Sequence, residues 1–460
     1  MLIRQAAQSP MYRPDADPHP LPAFYAGFAP PAPLTQSLTG TARANVVVIG
    51  AGFTGLSTAL HLAERGISTC VLEAKTIGWG ASSRNFGQVV PYFKHDQDHV
   101  RRHFGNERGE RLIAAAGAGP DLVFSLIERH AMACGAERKG LIFAAHSRAG
   151  RRALEQRTEF WRARGAPVEM VEGKAAEALI GSRYYEACSL DRRGGTINPL
   201  GYVRGLAAAA IKAGARICTD TPAIAVEKRG SLWRIATPSG EVTADAVVLA
   251  SNAYTSERLW PALRQSIIPM RAYQFVSRPL SENLRRTVLP QGQPLTDTRH
   301  LFSGARLHPH GRLQASGDGP AFRIGGEADF RKVNRRMGET FPQLGTLDWE
   351  FRWAGWVAVT YDQYPHLHEL ASGLWAGLGY SGRGIALATM MGREIAAHIT
   401  RSDAQTTALP VTPLRPRLLT RFARPLVGSL LAYYRLADAR HDRHLIAINR
   451  TRRKFDHSGR

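Results

Sequence analysis

Lysine is scarce in this 460-residue chain: 8 of the 60 basic residues are lysine, which leaves 52 arginines. Acidic residues are also few, 38 against those 60, so the formal net charge is +22. Arginine dominance beside abundant alanine and glycine is a composition that a biased genome produces by itself. The excess is uneven, however: the last 50 residues hold RPRLLTRFAR, RHDRH and NRTRRK. Such a tail attracts an anionic membrane or nucleic acid, or is a solvated basic surface with no dedicated partner, which is the plainer reading. Long apolar runs are missing. Nothing approaches the ~18 consecutive apolar residues of a membrane-spanning helix, and the stretch around Leu426–Tyr434 is too short. No basic start followed by an apolar core opens the chain, so no secretory signal is expected. Cysteine is limited to Cys70, Cys134, Cys188 and Cys218, without the spacing of a metal site or a redox pair. Reduced thiols in a cytoplasmic protein fit this, peripheral contact with the inner membrane face through the basic tail being the variant. No metal is implied, and no internal repeat occurs.

What is present begins at residues 46–56, VVVIGAGFTGL, followed by the apolar stretch Thr69–Leu72 and then Glu73, 23 positions after Gly50. This reads as a strand, a glycine turn, a helix and a second strand ending in an acid. Gly50 makes the tight turn, Gly52 lets a pyrophosphate approach the backbone, and Gly55 lets helix and strand pack closely. Phe53 and Thr54 open the helix, whose free N–H groups and positive dipole end suit phosphates. Glu73 is placed to accept hydrogen bonds from an adenosine ribose. A lone glycine cluster is weak evidence; with strand, helix and acid in order it marks a dinucleotide site.

Residues 78–91, GWGASSRNFGQVVP, follow directly. With the fingerprint they resemble the glycine/D-amino-acid oxidase (DAO) family of FAD enzymes, particularly its gamma-glutamylputrescine oxidoreductase-like members. In that family a Gly-Ala-Ser-x-Arg-Asn-x-Gly loop wraps the FAD pyrophosphate and ribityl chain. Here the loop is Gly80, Ala81, Ser82, Arg84, Asn85 and Gly87, with Gln88 next; Ser83 and Phe86 stand where the family usually has glycine. RGGTINPLGYVRGLAAAA (193–210) resembles the family's Gly-Gly-x-x-x-Pro lead into a returning helix. GLGYSGRGIALATMMGREIA (377–396) resembles its closing glycine loop, where Gly379, Ser381, Gly382, Gly384 and Ile385 would bring backbone N–H groups to the flavin. Val226 lies where a backbone contact to adenine is usual. The likeness runs from about residue 44 to 400.

The resemblance implies an α/β architecture: a Rossmann-like FAD-binding domain interleaved with an α+β substrate domain on a mixed or antiparallel sheet, of the glutathione-reductase-like, DAO type. Residues 1–43, proline-rich and without periodicity, read as an irregular N-terminal leader on the surface. The FAD-binding domain is expected over 44–135, 196–262 and 350–400, the substrate domain over 136–195 and 263–349. Residues 401–460 read as a basic C-terminal helical extension, with helices within 413–447.

The implied chemistry is oxidation of the C–N bond of an amine or amino acid. A hydride passes to flavin N5 and the resulting imine hydrolyses; the cofactor carries the hard step, and the protein supplies position and electrostatics. No catalytic dyad is obligatory. The side chains proposed to act are Tyr254, Arg271, Tyr380 and Arg383. Arg271 is the candidate for clamping a substrate carboxylate. Trp353 and Trp356, flanking a glycine turn, and His366 are further pocket candidates, each equally suited to core packing or a satisfied histidine. No cysteine falls where a covalent flavin link would align, so FAD is expected to be non-covalent. Oxygen or a respiratory carrier would reoxidise it. Some oxidases of the family use a lysine near the flavin, and none falls between Lys228 and Lys332, which leans toward a dehydrogenase. The competing readings are an FAD enzyme acting on a modified tRNA base, a hydroxy-acid oxidoreductase of the same fold, and a non-catalytic flavoprotein. Nucleic acid is the weaker partner because the basic excess is diffuse.

Overall fold

The computed structural model describes residues 21–256, 259–300, 303–318, 327–401, 407–417, 433–434 and 436–438. In chain order its elements begin with α1 (Ala23–Ala26), β1 (Gly40–Ile49), α2 (Phe53–Ala63), β2 (Thr69–Leu72) and β3 (Gln88–Val89). Three helices follow, α3 (Gln97–Phe104), α4 (Asn106–Gly117) and α5 (Gly119–Arg129). Then come β4 (Leu141–Ala144), α6 (Arg148–Arg162), β5 (Val168–Glu172), α7 (Gly173–Ile180), β6 (Ala187–Asp191), β7 (Gly195–Thr196) and α8 (Pro199–Lys212). Short strands β8 (Arg216–Cys218), β9 (Ala225–Arg229) and β10 (Leu232–Thr237) lead to β11 (Gly240–Leu249) and α9 (Pro261–Arg264). The remainder is β12 (Ile267–Pro279), α10 (Glu282–Thr287), β13 (Leu295–Asp297), β14 (Gly304–Leu307), β15 (Arg312–Asp318), α11 (Glu327–Thr340), β16 (Trp349–Thr360), β17 (His366–Ala371), β18 (Leu374–Leu378) and α12 (Gly384–Thr400).

Two eight-stranded sheets carry the fold, with helices packed on them in an α/β arrangement. The first runs β17-β18-β11-β1-β2-β8, with β10 on β11 and β9 on β10. Its inner pairs, β18–β11, β11–β1, β1–β2 and β2–β8, are parallel. Parallel strands covered on both faces need continuous apolar runs, and Val46–Ile49 and Val247–Leu249 supply them, all buried. Helix α2 lies on this sheet with every residue buried. It is small enough for close contact: a Cβ on Gly392 of α12 would sit 2.5 Å from Ser57 Cβ. The second sheet runs β16-β12-β15-β14-β13-β4-β6-β5 and is antiparallel except for β13–β4. Its core side packs on α7 and α11 through residues such as Ile180, Met337 and Phe341. A two-stranded ribbon, β3–β7, pairs with neither sheet.

Four expectations change. Trp353 and Trp356 do not flank a turn; both lie within β16, with Gly355 in register opposite Ala272. That whole strand, Trp349–Thr360, belongs to the second sheet, so a boundary at residue 350 falls inside a strand that pairs with β12. The described part of the leader is irregular and exposed or half-exposed from Ala26 to Ser37, as expected, but it is pinned at both ends, where Phe24, Tyr25 and Leu38 are buried. Residues 413–417 form no helix. The chain there runs beside the first sheet, with Thr412 N donating to Leu367 O at 2.8 Å and Arg417 N to Gln265 O at 3.2 Å. The rest of the expected extension lies mostly outside the described residues. Among those described, no helix is long and apolar enough to cross a membrane, and no group of three His, Cys, Asp or Glu side chains is arranged to hold a metal.

Candidate cofactor and substrate site

Gly50 takes φ +110, open to glycine, and its N–H bonds Leu72 O at 2.8 Å. The turn this makes brings the α2 terminus over the strand ends. Gly55 is packed against it: a Cβ there would lie 1.9 Å from Gly50 O. Gly52 caps α2 without a side chain. The Ser82 hydroxyl from the next loop accepts from Phe53 N at 3.0 Å, so a polar oxygen already sits at the helix's positive end. Glu73 accepts from Ala51 N at 2.8 Å and from Lys75 N at 3.0 Å. Burial pushes its carboxyl pKa up, and the Ala51 and Lys75 amides act against that rise. Thr221 N donates to Glu73 O, and Val226 packs on the apolar face that includes Leu72 and Cys218.

The loop after β2 folds on itself. Ala81 and Ser82 belong to one 3-10 turn. Asn85 Nδ2 donates to Ala81 O (3.2 Å) and Ser82 O (3.0 Å), and Asn85 Oδ1 accepts from Gly87 N (2.9 Å). Arg84 is buried, its Nε donating to Trp79 O at 3.0 Å. Gly87 has φ +81, and a Cβ would meet Ile197 O at 2.4 Å. Gln88 Oε1 accepts from Thr296 Oγ1 at 3.0 Å, which ties the loop to the second sheet.

The closing loop lies beside this one. Gly379, Ser381 and Gly382 all have positive φ, and Gly379 N donates to Asn252 Oδ1 at 3.1 Å. Arg383 caps α12, and Gly384 and Ile385 open it. Neither α2 nor α12 has an acidic residue in its first turn. A hydrogen bond between Thr54 Oγ1 and Tyr380 Oη joins the two helix starts. Tyr380 is buried, which pushes its phenol pKa up; its hydroxyl works as a tie between the glycine loops.

The other candidates separate. Tyr254 and Arg271 come together on Trp356: Tyr254 Oη accepts from Trp356 N at 3.3 Å, and the Arg271 guanidinium lies 4.7 Å from the Trp356 ring centre. Trp353 Nε1 donates to Arg84 O at 3.0 Å. His366 stands away from this group, 3.0 Å from Asp362 Oδ1. Burial by itself raises the Asp362 pKa, but the hydrogen bond and charge of His366, with the Tyr364 amide and the Thr360 hydroxyl, together outweigh it and hold the carboxyl at about 2.

Sequence reasoning missed a buried polar chain between the loop and the second sheet. Tyr25 Oη donates to Asn85 O at 2.9 Å and lies 3.1 Å from Gln314 Oε1. Gln314 Nε2 reaches Gln274 Oε1 at 2.9 Å, and His308 Nε2 is 2.9 Å from Gln314 Oε1. Polar residues at inward positions of strands LQAS and YQFV were the available signal. A surface cleft of about 620 Å³, lined in part by His61, Arg65, Arg129 and Arg393, lies at the opposite end of α2 from the glycine loops.

Comparison with known proteins gives a consistent answer. The family model "FAD dependent oxidoreductase" (DAO) matches residues 45–398. The chain is 31% identical to gamma-glutamylputrescine oxidoreductase of Escherichia coli (strain K12), over 89% of this chain and 96% of that protein. It is 27% identical to a glycine oxidase of Geobacillus kaustophilus (strain HTA426), covering 81% and 96%. Among solved structures, glycine oxidase from Geobacillus kaustophilus superposes with a TM-score of 0.67 at 23% identity, over 82% of this chain and 99% of that one. L-proline dehydrogenase from P. horikoshii gives 0.67 at 20% identity, over 85% and 99%.

Proposed function

Because this chain belongs to the DAO family of FAD-dependent oxidoreductases, whose members act on amine or amino-acid C–N groups, we propose that it oxidises such a C–N bond by hydride transfer to flavin N5, giving an imine that water hydrolyses. The observation that carries this reading is the pair of helix starts, α2 at Gly52 and α12 at Arg383, linked by Thr54 and Tyr380 and free of acidic side chains. One positive helix end suits a diphosphate, and the other suits negative charge developing on the acceptor.

The residues present fit non-covalent FAD. Gly52 leaves the α2 terminus open, and Ser82 Oγ already occupies a position that an acceptor oxygen would take. In this reading Gly50, Gly52, Phe53, Thr54 and Gly55 hold the diphosphate, and Glu73 holds the ribose through its remaining lone pairs. Ala81, Ser82, Arg84, Asn85, Gly87 and Gln88 wrap the chain that follows, and Val226 lies by the adenine. Gly379, Ser381, Gly382, Gly384 and Ile385 present backbone N–H groups. FAD, when bound, supplies the two-electron acceptor; the protein's own part is to place a neutral amine and keep water off the reacting carbon. The first sheet with α2, α8 and α12 holds the cofactor, and the second sheet, β16 included, covers the substrate. Tyr254, Arg271 and Trp356 form one wall of that cover.

Anaerobic mixing of the yellow protein with a panel of amines and amino acids tests the reading. Loss of flavin colour with at least one of them is expected. Bleaching by hydroxy acids alone, or by no member of the panel, would overturn it. Repeating the reaction with oxygen and with a quinone as acceptor tells an oxidase from a dehydrogenase.

A further inference from the structure

The loop after β2 gives its carbonyl oxygens, one after another, to groups outside it. Arg84 O accepts from Trp353 Nε1 of β16 at 3.0 Å. Asn85 O accepts from Tyr25 Oη of α1 at 2.9 Å. Phe86 O accepts, more loosely, from Arg306 Nη1 of β14 at 3.4 Å, and that nitrogen also donates to Ile197 O at 2.9 Å. Gly87 O accepts from Ile197 N at 2.8 Å. Consecutive carbonyls are therefore held by the covering sheet, the leader and the lead into α8. In a trans peptide the C=O and the N–H point opposite ways. Turning Arg84 O to Trp353 and Asn85 O to Tyr25 thus turns the N–H groups of Asn85 and Phe86 away from those partners, and fixes the orientation of the loop.

Trp353 and Arg306 stand on strands of the second sheet. Tyr25 stands on a helix of 4 residues, and hydrogen bonds fix it instead. Its own carbonyl accepts from Asn198 Nδ2 at 3.0 Å, and Asn198 Oδ1 caps α8. Its hydroxyl carries one hydrogen, which Asn85 O takes, so Gln314 Nε2 donates to the hydroxyl oxygen at 3.0 Å. The second Nε2 hydrogen of Gln314 goes to Gln274 Oε1 at 2.9 Å. Gln314 Oε1 is left to accept from His308 Nε2, also at 2.9 Å. Burial, and after it the nearby Arg306, holds the His308 pKa well below the usual histidine range, so the ring is neutral and keeps its hydrogen on Nε2. His308, Gln314 and Tyr25 therefore donate in one direction, ending at Asn85 O, and all three are buried. A buried polar chain whose members are all satisfied is rigid, and each bond polarises the next.

Resting on the functional reading above, we propose that Tyr25 is a positioning residue of the cofactor site: through Asn85 O it holds the cofactor loop in its binding shape, and through Gln314 it ties that shape to the sheet that covers the substrate. A loop ordered before binding spares the ligand the entropy of ordering it, which raises affinity without any new contact. The leader is then a working part of the site, although Tyr25 touches neither cofactor nor substrate. Trp353 and Arg306 set the neighbouring peptide units from the sheet itself, so loop and covering sheet move as one body.

Tyr25→Phe removes one oxygen and keeps the buried ring. Amide hydrogen exchange of the apoprotein, read by mass spectrometry, compares a peptide spanning residues 80–90 with peptides from α2 and β12. In the variant the loop should exchange at least about tenfold faster relative to those two. FAD titration should show a dissociation constant raised about tenfold, and the visible band of the bound flavin should shift, a change that a merely structural role would not produce. Gln314→Met, which removes the donor to Tyr25 but leaves Asn85 O its partner, should speed loop exchange about threefold and decides the matter if Tyr25→Phe does not fold. Leu38→Ala, at the other buried end of the leader, should lower stability while leaving the relative exchange of the loop unchanged. Loop exchange and FAD affinity at native values in a folded Tyr25→Phe or Gln314→Met protein overturn the proposal, as does equal acceleration of the loop by Leu38→Ala. None of these measurements uses a substrate, so an amine panel that fails to bleach the flavin sinks the functional reading alone, and native loop exchange in the variants sinks the role of Tyr25 alone.

Discussion

Gly52 and Gly55 stand three residues apart, yet substitution should separate their roles. At Gly55 an added Cβ would lie 1.9 Å from Gly50 O and 3.1 Å from Val48 Cγ1. Contacts under 3.0 Å do not occur at real Cβ atoms, so α2 would have to retreat by at least 3.0 − 1.9 = 1.1 Å. Every residue of α2 is buried, and nothing behind the helix yields. Gly55→Ala should therefore cost about 1–3 kcal/mol or more as overpacking. Gly52 is different. Its φ of −92 is open to any residue, and a Cβ would meet only the end of the Ser82 side chain, at 3.0 Å. The apoprotein of Gly52→Val should fold. The new methyls, however, stand at the head of α2, where the diphosphate would approach. Loss of a hydrogen bond to a charged group costs about 1.5–3 kcal/mol, which is about 10- to 150-fold in affinity. The assay is a thermal melt of the apoprotein together with a titration by FAD, following quenching of flavin fluorescence. Gly55→Ala should lower the melt, and Gly52→Val should leave it near native while binding FAD 10- to 150-fold more weakly, by about the factor just given. Native FAD affinity in a folded Gly52→Val protein would refute the placement of the diphosphate at this helix.

Glu73→Gln keeps an acceptor for Ala51 N and removes the charge, so FAD affinity should fall about tenfold, or ~1.4 kcal/mol; an unchanged dissociation constant in the same titration would place the ribose elsewhere. Tyr25→Phe leaves Asn85 O without this donor and removes one of the partners of Gln314, a loss of about 1–3 kcal/mol that urea unfolding should detect; equal midpoints would mean that the leader segment is not coupled to the cofactor loop. Asp362, held at about 2 against 3.8, is a depressed acid, so its contribution to stability is present above the unfolded pKa of 3.8 and fades as pH falls toward 2. With its side chain 28% exposed, that contribution is at most about 2 kcal/mol. The stability gap between native protein and Asp362→Asn, measured by denaturant titration, should close between pH 4 and 2 on about that scale, and a gap independent of pH would remove the argument.

The parts of this molecule legible in the sequence are those where one local rule decides the outcome. Gly55 cannot take a Cβ because Gly50 O, five residues back, lies against it, and the positive φ of Gly50 belongs to the turn itself. The break between α4 and α5 at Gly117–Gly119 has an equally local cause, since proline suits a first helical turn. The hairpin of β10 and β11 is legible in the same way, from its turn residues Pro238, Ser239 and Gly240 and the alternation on either side. What escaped depends on partners far away in the chain. Tyr25 is fixed by Asn85, 60 residues on, and by Gln314, 289 residues on, so a proline-rich stretch looked like a strap on the surface. Trp353 and Trp356 read as turn residues because glycine lies between them, and only pairing with β12 shows a continuous strand. Arg157 was hidden by abundance. Among 52 arginines, sequence offers no sign that Arg157 is buried without a carboxylate. Arg193 and Arg157 have the same side chain and lean on the same tyrosine ring. They differ because Asp191, two residues before Arg193, answers one fork, and no residue of the described chain answers the other.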